Sequence, residues 1–191
     1  QESAELPLLV FPGNYPVSRI RVPSKFIKPP AEVQERIKAE REIKSKVFGE
    51  PPTPIRYWTL PFEKPVDNIT TSPYGASRVY NGVRGGVHTG LDFRALEATP
   101  VRAVAGGKVI LARDLYYEGG FVLLDHGQGL MSMYMHLSAF DVKEGDAVER
   151  GQIIARSGGT GQSTGPHLHL GIRWNKLLVD PSVLLTLEMP K

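Results

Sequence analysis

The sequence predicts a mainly β protein, an antiparallel sheet or hybrid sandwich preceded by an N-terminal extension that contains one α-helix. Three observations carry that prediction. Proline and glycine divide the chain, since residues 1–66 hold 11 of the 16 prolines but only two of the 20 glycines, Gly13 and Gly49. From Ile69 onward, short alternations of apolar and polar residues are separated by glycine turns, the pattern of antiparallel strands. Between these regimes one segment, roughly Ala31 to Phe48, combines i,i+4 charge pairs with a thin apolar stripe, the pattern of a surface helix.

Taken in order, Leu6 to Val10 and Val17 to Val22 read as extended, proline-pinned segments, and Pro29-Pro30 lead into the helix. The pairs Glu32 with Arg36, Glu40 with Lys44 and Glu42 with Lys46 are each expected to add about 0.2 to 0.5 kcal/mol. Val33, Ile37, Ile43 and Val47 make a stripe too thin to build a core, so this helix is expected to lie against another surface, and Pro51, Pro52 and Pro54 end it. The change in punctuation near Trp58 divides the chain into an extension, 1–57, and a domain, 58–191. The extension is expected to pack along the domain and to cover part of its cleft. Strands are expected near Val87 to Arg94, Lys108 to Ala112, Gly120 to Asp125, Leu130 to His136, Gln152 to Arg156 and His167 to Arg173. The segments "TPVRAVAGGKVILA" and "GDAVERGQIIARSG" share a turn-then-strand shape that suggests an internal repeat.

Composition narrows the chemistry. At 191 residues and 41% hydrophobic content the chain can bury a proper core, and it contains no run of about 18 apolar residues that could span a bilayer. It begins at Gln1 and lacks a basic-then-apolar leader, so it reads as a processed form whose targeting segment has been removed. Without cysteine, any transition metal must be held by histidine and carboxylate. A net charge of +3 with both signs interspersed argues against a nucleic-acid partner.

Strand alternation then sorts the histidines. In Leu130 to His136 the stripe Met131, Met133, Met135 is expected to face the core and Ser132, Tyr134, His136 a more polar side. In His167 to Arg173, Leu168, Leu170 and Ile172 point inward, so His167 and His169 share the other face about 6.6 Å apart. In Val87 to Arg94, His88 and Asp92 share a face. On a straight strand their Cα atoms would lie about 13 Å apart, too far to reach one ion, so a bend at Gly90 is required. Imidazoles on one face with a nearby carboxylate suit a transition metal, and spacing leaves open whether His167 and His169 are both ligands. His126, in "LLDHGQG", reads as a structural hydrogen-bonder at a turn. The turn-strand segments also suit a swinging-arm carrier or a phosphohistidine transfer domain, but no lysine sits at an obvious hairpin tip and neither needs His88 with Asp92.

"TSPYGASRVYNG", "HTGLD", "TPVRAVAGGKV", "LLDHGQGL", "MYMHLS", "VKEGDAVERGQII" and "TGQSTGPHLH" followed by "VDP" run in order over Thr71 to Leu185. Together they resemble the LytM or lysostaphin-type zinc endopeptidases, peptidase family M23. The resemblance implies one Zn2+ per chain, with His88, Asp92 and His169 as ligands and His136 and His167 as the catalytic pair. It further implies hydrolysis of peptide stems and cross-links in bacterial peptidoglycan by attack of zinc-bound water assisted by two histidines. The location is then periplasmic or otherwise extracytoplasmic. Ala98-Thr99-Pro100 replaces the usual Gly-Thr-Pro, a change of turn rather than of chemistry. The glycine-rich loop Ser157 to Pro166 is expected to form a rim on which Ser163, Thr164 and Gly165 touch substrate, or else a flexible turn. The competing reading is a catalytically silent relative that activates another cell-wall hydrolase.

Overall fold

The computed structural model describes residues 13–188; the extended segment expected at Leu6 to Val10 lies outside them. In chain order the elements are β1 (Val17–Ile20), α1 (Gln34–Gly49), β2 (Thr70–Ser72), β3 (Ser77–Tyr80), β4 (Val83–Val87), β5 (Leu91–Arg94), β6 (Pro100–Arg102), β7 (Gly107–Leu115), β8 (Gly119–Gly127), β9 (Leu130–Phe140), β10 (Ala147–Val148), β11 (Ile153–Ser157), β12 (His167–Trp174), β13 (Leu177–Val179) and α2 (Pro181–Leu185). A mainly antiparallel sheet runs in the order β10-β7-β8-β9-β12-β5-β2, and β11 joins β9 to β6. A second, small sheet runs β1-β3-β4, with β1 parallel to β3. The expected mainly β architecture with one N-terminal helix is what the chain adopts. The two turn-strand segments that suggested a repeat pair with each other, β6 with β11 and β7 with β10.

Both faces of the central strands are covered. On one side Val101, Val104, Ile154 and Ala155 meet Val122, Leu124, Tyr134, Leu168, Leu170 and Ile172, all essentially fully buried. On the other, Leu111, Leu115, Phe121, Leu123 and Met133 pack under Ile43, Val47 and Phe48 of α1. Each fully buried Val, Leu, Ile, Phe or Met side chain among them contributes about 1.5–3 kcal/mol. The thin stripe of α1 therefore does lie against another surface, but its charges pair differently from expectation. Glu40 is buried, accepts the Tyr116 N–H at 2.9 Å and pairs with Arg36 at 2.6 Å; Arg36 reaches Asp114 at 2.8 Å, and Lys44 pairs with Glu118. A carboxylate withdrawn from water to satisfy a buried backbone donor is no longer free for a surface pair with Lys44.

The face expected to be polar on β9 is also corrected. Ser132 and Tyr134 are fully buried in the larger core, while the methionine stripe packs on the α1 side. A closed hydrogen-bond chain makes that burial affordable in polar terms. His126 donates from Nδ1 to the Gly106 carbonyl at 2.7 Å, Ser132 Oγ lies 2.7 Å from His126 Nε2, and the Tyr134 hydroxyl accepts from the Val104 N–H at 2.9 Å. His126 is thus the structural residue the sequence suggested. Burial pushes its pKa down from 6.5 to about 4, opposed by its bond to Gly106. The unfolded chain therefore binds more protons between those values, so stability is full above pH 6.5 and is lost as pH falls toward 4. Denaturant titration at pH 7 and pH 4.5 should show His126 contributing about 2–3 kcal/mol of the loss. His126→Gln should flatten the profile by that amount, and an unchanged profile would contradict the assignment.

Candidate metal and catalytic site

Register brings the first two site residues together. In the antiparallel pair of β5 with β12, Asp92 lies directly opposite His169 and Arg94 opposite His167. Directly opposed residues have Cβ atoms about 4.5–5.5 Å apart and share a face. The alternate residues of β12, Leu168, Leu170 and Ile172, are fully buried and lock that face. His88 follows the end of β4, and the chain bends at Gly90 before β5 begins at Leu91, so the expected continuous strand is two strands with the required bend between them. Gly90 is needed for close approach rather than for an unusual φ. A Cβ there would lie 2.4 Å from His169 Nε2 and 2.5 Å from the Leu170 carbonyl oxygen.

His136 reaches the site by a different device. Simple alternation would place it on the core face beside Tyr134. Between β8 and β9, however, Val122 pairs with Tyr134 and Gly120 with Leu137, so two steps on one strand span three on the other. This bulge carries one extra residue, and His136 has a left-handed backbone, φ +64°. Met135, opposite His169, and His136 therefore both line the site, while Tyr134 and Leu137 stay in the core. A left-handed non-glycine residue costs on the order of 1 kcal/mol.

Three donor atoms converge. His88 Nε2 lies 3.0 Å from Asp92 Oδ1 and 3.1 Å from His169 Nδ1, and His169 Nδ1 lies 2.9 Å from Asp92 Oδ1. The edge of a tetrahedron built on bonds of about 2.0 Å is about 3.3 Å, so the triangle fits one small divalent ion. Tautomer chemistry points the same way. His88 Nδ1 sits 2.7 Å from the Pro73 carbonyl, which can only accept, so Nδ1 carries the proton and Nε2 presents a lone pair to its neighbours. Lone pairs packed this closely repel unless a cation, a proton or a metal, lies among them. All three residues are buried, and among the described residues they form a group able to hold a metal.

Electrostatics hold Asp92 ionised and His169 neutral. Burial alone would raise the Asp92 carboxyl, but hydrogen bonds with His169 and His88 outweigh it and hold the group well below the usual carboxylate range. Burial lowers His169, only partly offset by Asp92.

The other two histidines are fixed from behind. His136 donates from Nδ1 to the Thr160 carbonyl at 2.9 Å and His167 from Nδ1 to the Gly165 carbonyl at 2.9 Å, which leaves each Nε2 unprotonated in the neutral ring. Their ring centroids are 4.7 Å apart, and His167 Nε2 is 3.9 Å from Asp92 Oδ1. Burial, then the neighbouring His167 and His169, pushes His136 down to about 3. Both orienting carbonyls come from the loop expected to be a rim or a flexible turn.

The site floors a cleft of about 690 Å³. Ser163, Thr164 and Gly165 line one side; Ser18 and Ile20 of β1 with Tyr80 of β3 line another, so the N-terminal segment forms a wall of the cleft. Sequence reasoning missed Thr160, whose carbonyl faces His136, and Arg78, which reaches Asp92 Oδ2 at 2.9 Å. The contact of Thr160 is made by its backbone and leaves no mark on residue type. Arg78 lay in the quoted "TSPYGASR" stretch but without a partner to give it meaning.

Residues 86–181 match peptidase family M23. The chain is 47% identical over 98 residues to the glycyl-glycine endopeptidase ALE-1 of Staphylococcus capitis, covering 50% of this chain and 27% of that one. It is 46% identical over 82 residues to the peptidoglycan DD-endopeptidase ShyA of Vibrio cholerae, covering 43% of this chain and 19% of that one. It thus spans about a quarter or less of the length of these relatives. A zinc-containing peptidase from Vibrio cholerae superposes with a TM-score of 0.60 at 34% identity, over 68% of this chain and 40% of that one. With a fold, a donor triad and a match across half its length in agreement, this chain belongs to peptidase family M23.

Proposed function

We propose that this protein is a zinc-dependent endopeptidase that hydrolyses peptide cross-links of bacterial peptidoglycan. His88, Asp92 and His169 hold one Zn2+, and His136 and His167 move protons. The observation that carries the division of roles is how the five side chains are anchored. Three donors converge within 3.1 Å of one another, while two further imidazoles, each backed by a backbone carbonyl, turn a bare Nε2 toward the cleft. Two histidines and one carboxylate suit zinc, and three protein ligands are the number found in catalytic rather than structural sites. A zinc ion held there supplies a Lewis acid that acidifies a water molecule and polarises a carbonyl oxygen.

The chain's own residues do the remaining work. As water adds to the scissile carbonyl carbon, one unprotonated Nε2 takes its proton; as the C–N bond breaks, an imidazolium returns a proton to the departing amine. Ser163, Thr164 and Gly165 form the rim along which an extended peptide lies. Gly165 has open space where a side chain would stand, so a peptide backbone can approach closely. The naming of ALE-1 and ShyA as endopeptidases, one of peptidoglycan, supports the substrate class. We place the catalytic domain at 58–191 and the extension at 1–57, with action outside the cytoplasm, where the substrate lies.

Digestion of defined cross-linked muropeptides, with product masses read out and zinc counted per chain, is the decisive test. The expected result is one zinc per chain and products that differ by one hydrolysed peptide bond. An undigested substrate with a fully zinc-loaded protein would sink the enzymatic reading.

A further inference from the structure

Arg78, on β3, is a half-buried arginine beside the donor triad, with 10% of its side chain exposed. Its Nη2 donates to Asp92 Oδ2 at 2.9 Å and to Ser72 Oγ at 3.1 Å. Asp92 therefore has its two oxygens divided, Oδ1 facing His88 and His169 and Oδ2 facing the guanidinium. A carboxylate free to rotate can offer a cation either or both of its oxygens. One tied through Oδ2 by a charge-assisted bond offers Oδ1 alone, in a single orientation. Ser72 Oγ also lies 3.5 Å from His88 Nδ1, so one hydroxyl sits against both the arginine and a second member of the triad.

Two further facts separate this arrangement from an incidental ion pair. Arg78 Nε is buried without a hydrogen-bond partner among the described residues, so the guanidinium is held where its contact with Asp92 is good and its own satisfaction is incomplete. Its strand is clamped from both sides, by β4 and by β1, where Ser18 stands opposite Arg78 in the parallel pairing. The N-terminal segment thus supports the residue that orients the carboxylate.

We infer that Arg78 is the positioning residue of the metal centre, holding Asp92 so that Oδ1 alone is presented to the ion. The inference rests on the metal reading proposed above, and its test separates the two. Metal-free full-length protein is titrated with Zn2+ against a chromophoric chelator, for the unaltered chain and for His169→Ala, Arg78→Met, Arg78→Lys and Ser72→Ala. Arg78→Met should weaken zinc binding about 10- to 100-fold. Arg78→Lys, which keeps the charge but not the planar fork, should recover only part of that loss. The visible spectrum of the Co2+-loaded Arg78→Met protein should change as the carboxylate reorients. A purely structural arginine would lower the melting temperature of every form and leave affinity and spectrum alone, and that result overturns the inference. Unaltered protein that binds no zinc, or His169→Ala that binds it as tightly, would instead overturn the metal reading itself. If Arg78→Met fails to fold, Arg78→Lys and Ser72→Ala decide: several-fold weaker binding in either supports the inference, and unaltered affinity in both removes it.

Discussion

His169→Ala is expected to lose both its zinc and its peptidase activity, whereas His136→Ala and His167→Ala are expected to keep the metal and lose about 10²–10⁴-fold in kcat. The reason lies in what each ring contacts. His169 Nδ1 is within 3.1 Å of both His88 Nε2 and Asp92 Oδ1, so its removal takes one corner of the donor triangle and leaves two side chains. His136 and His167 are tied instead to the Thr160 and Gly165 carbonyls, and neither is part of that triangle. Zinc content measured beside single-turnover cleavage of a cross-linked muropeptide separates the two classes. A His136→Ala protein that comes out metal-free would overturn the division of ligands from proton carriers.

Gly90→Ala should be nearly as damaging, although the new methyl group carries no chemistry. Its Cβ would meet His169 Nε2 at 2.4 Å, His169 Cε1 at 2.6 Å and the Leu170 carbonyl at 2.5 Å. The carbonyl belongs to β12, paired on both sides by β5 and β9, so the backbone cannot yield without breaking ladder contacts. The ring must move instead. Overpacking of this kind costs about 1–3 kcal/mol, and a reacting or binding group displaced by about 1 Å can cost on the order of 10²-fold in rate. Gly86→Ala is the control, because nothing lies within 4 Å of a Cβ there. The expected pair of results is a destabilised, weakly zinc-binding Gly90→Ala and a Gly86→Ala that behaves as the unaltered chain. Equal zinc affinity and activity in both would show that the ring does not depend on the space at Gly90.

By itself the sequence determined the fold class, the helix, the placement of most strands and the identity of the five side chains that could do chemistry. The elements were legible because they rest on local periodicity, and the five side chains because they stand in the motifs that resemble peptidase family M23. Alternation on β12 puts His167 and His169 opposite three buried aliphatic residues, and the reach of a straight strand demands a bend between His88 and Asp92. Tertiary structure alone decided what depends on contacts between distant segments. The bulge that turns His136 toward the site arises from a mismatch of steps between two strands, which no count along one strand can reveal. Glu40 and Lys44 chose partners on the β7–β8 hairpin because burial changes which pair satisfies a charge. Arg78, Thr160 and Pro73 act through a side chain or carbonyl delivered from another part of the chain, and such contacts exist only once the strands have come together.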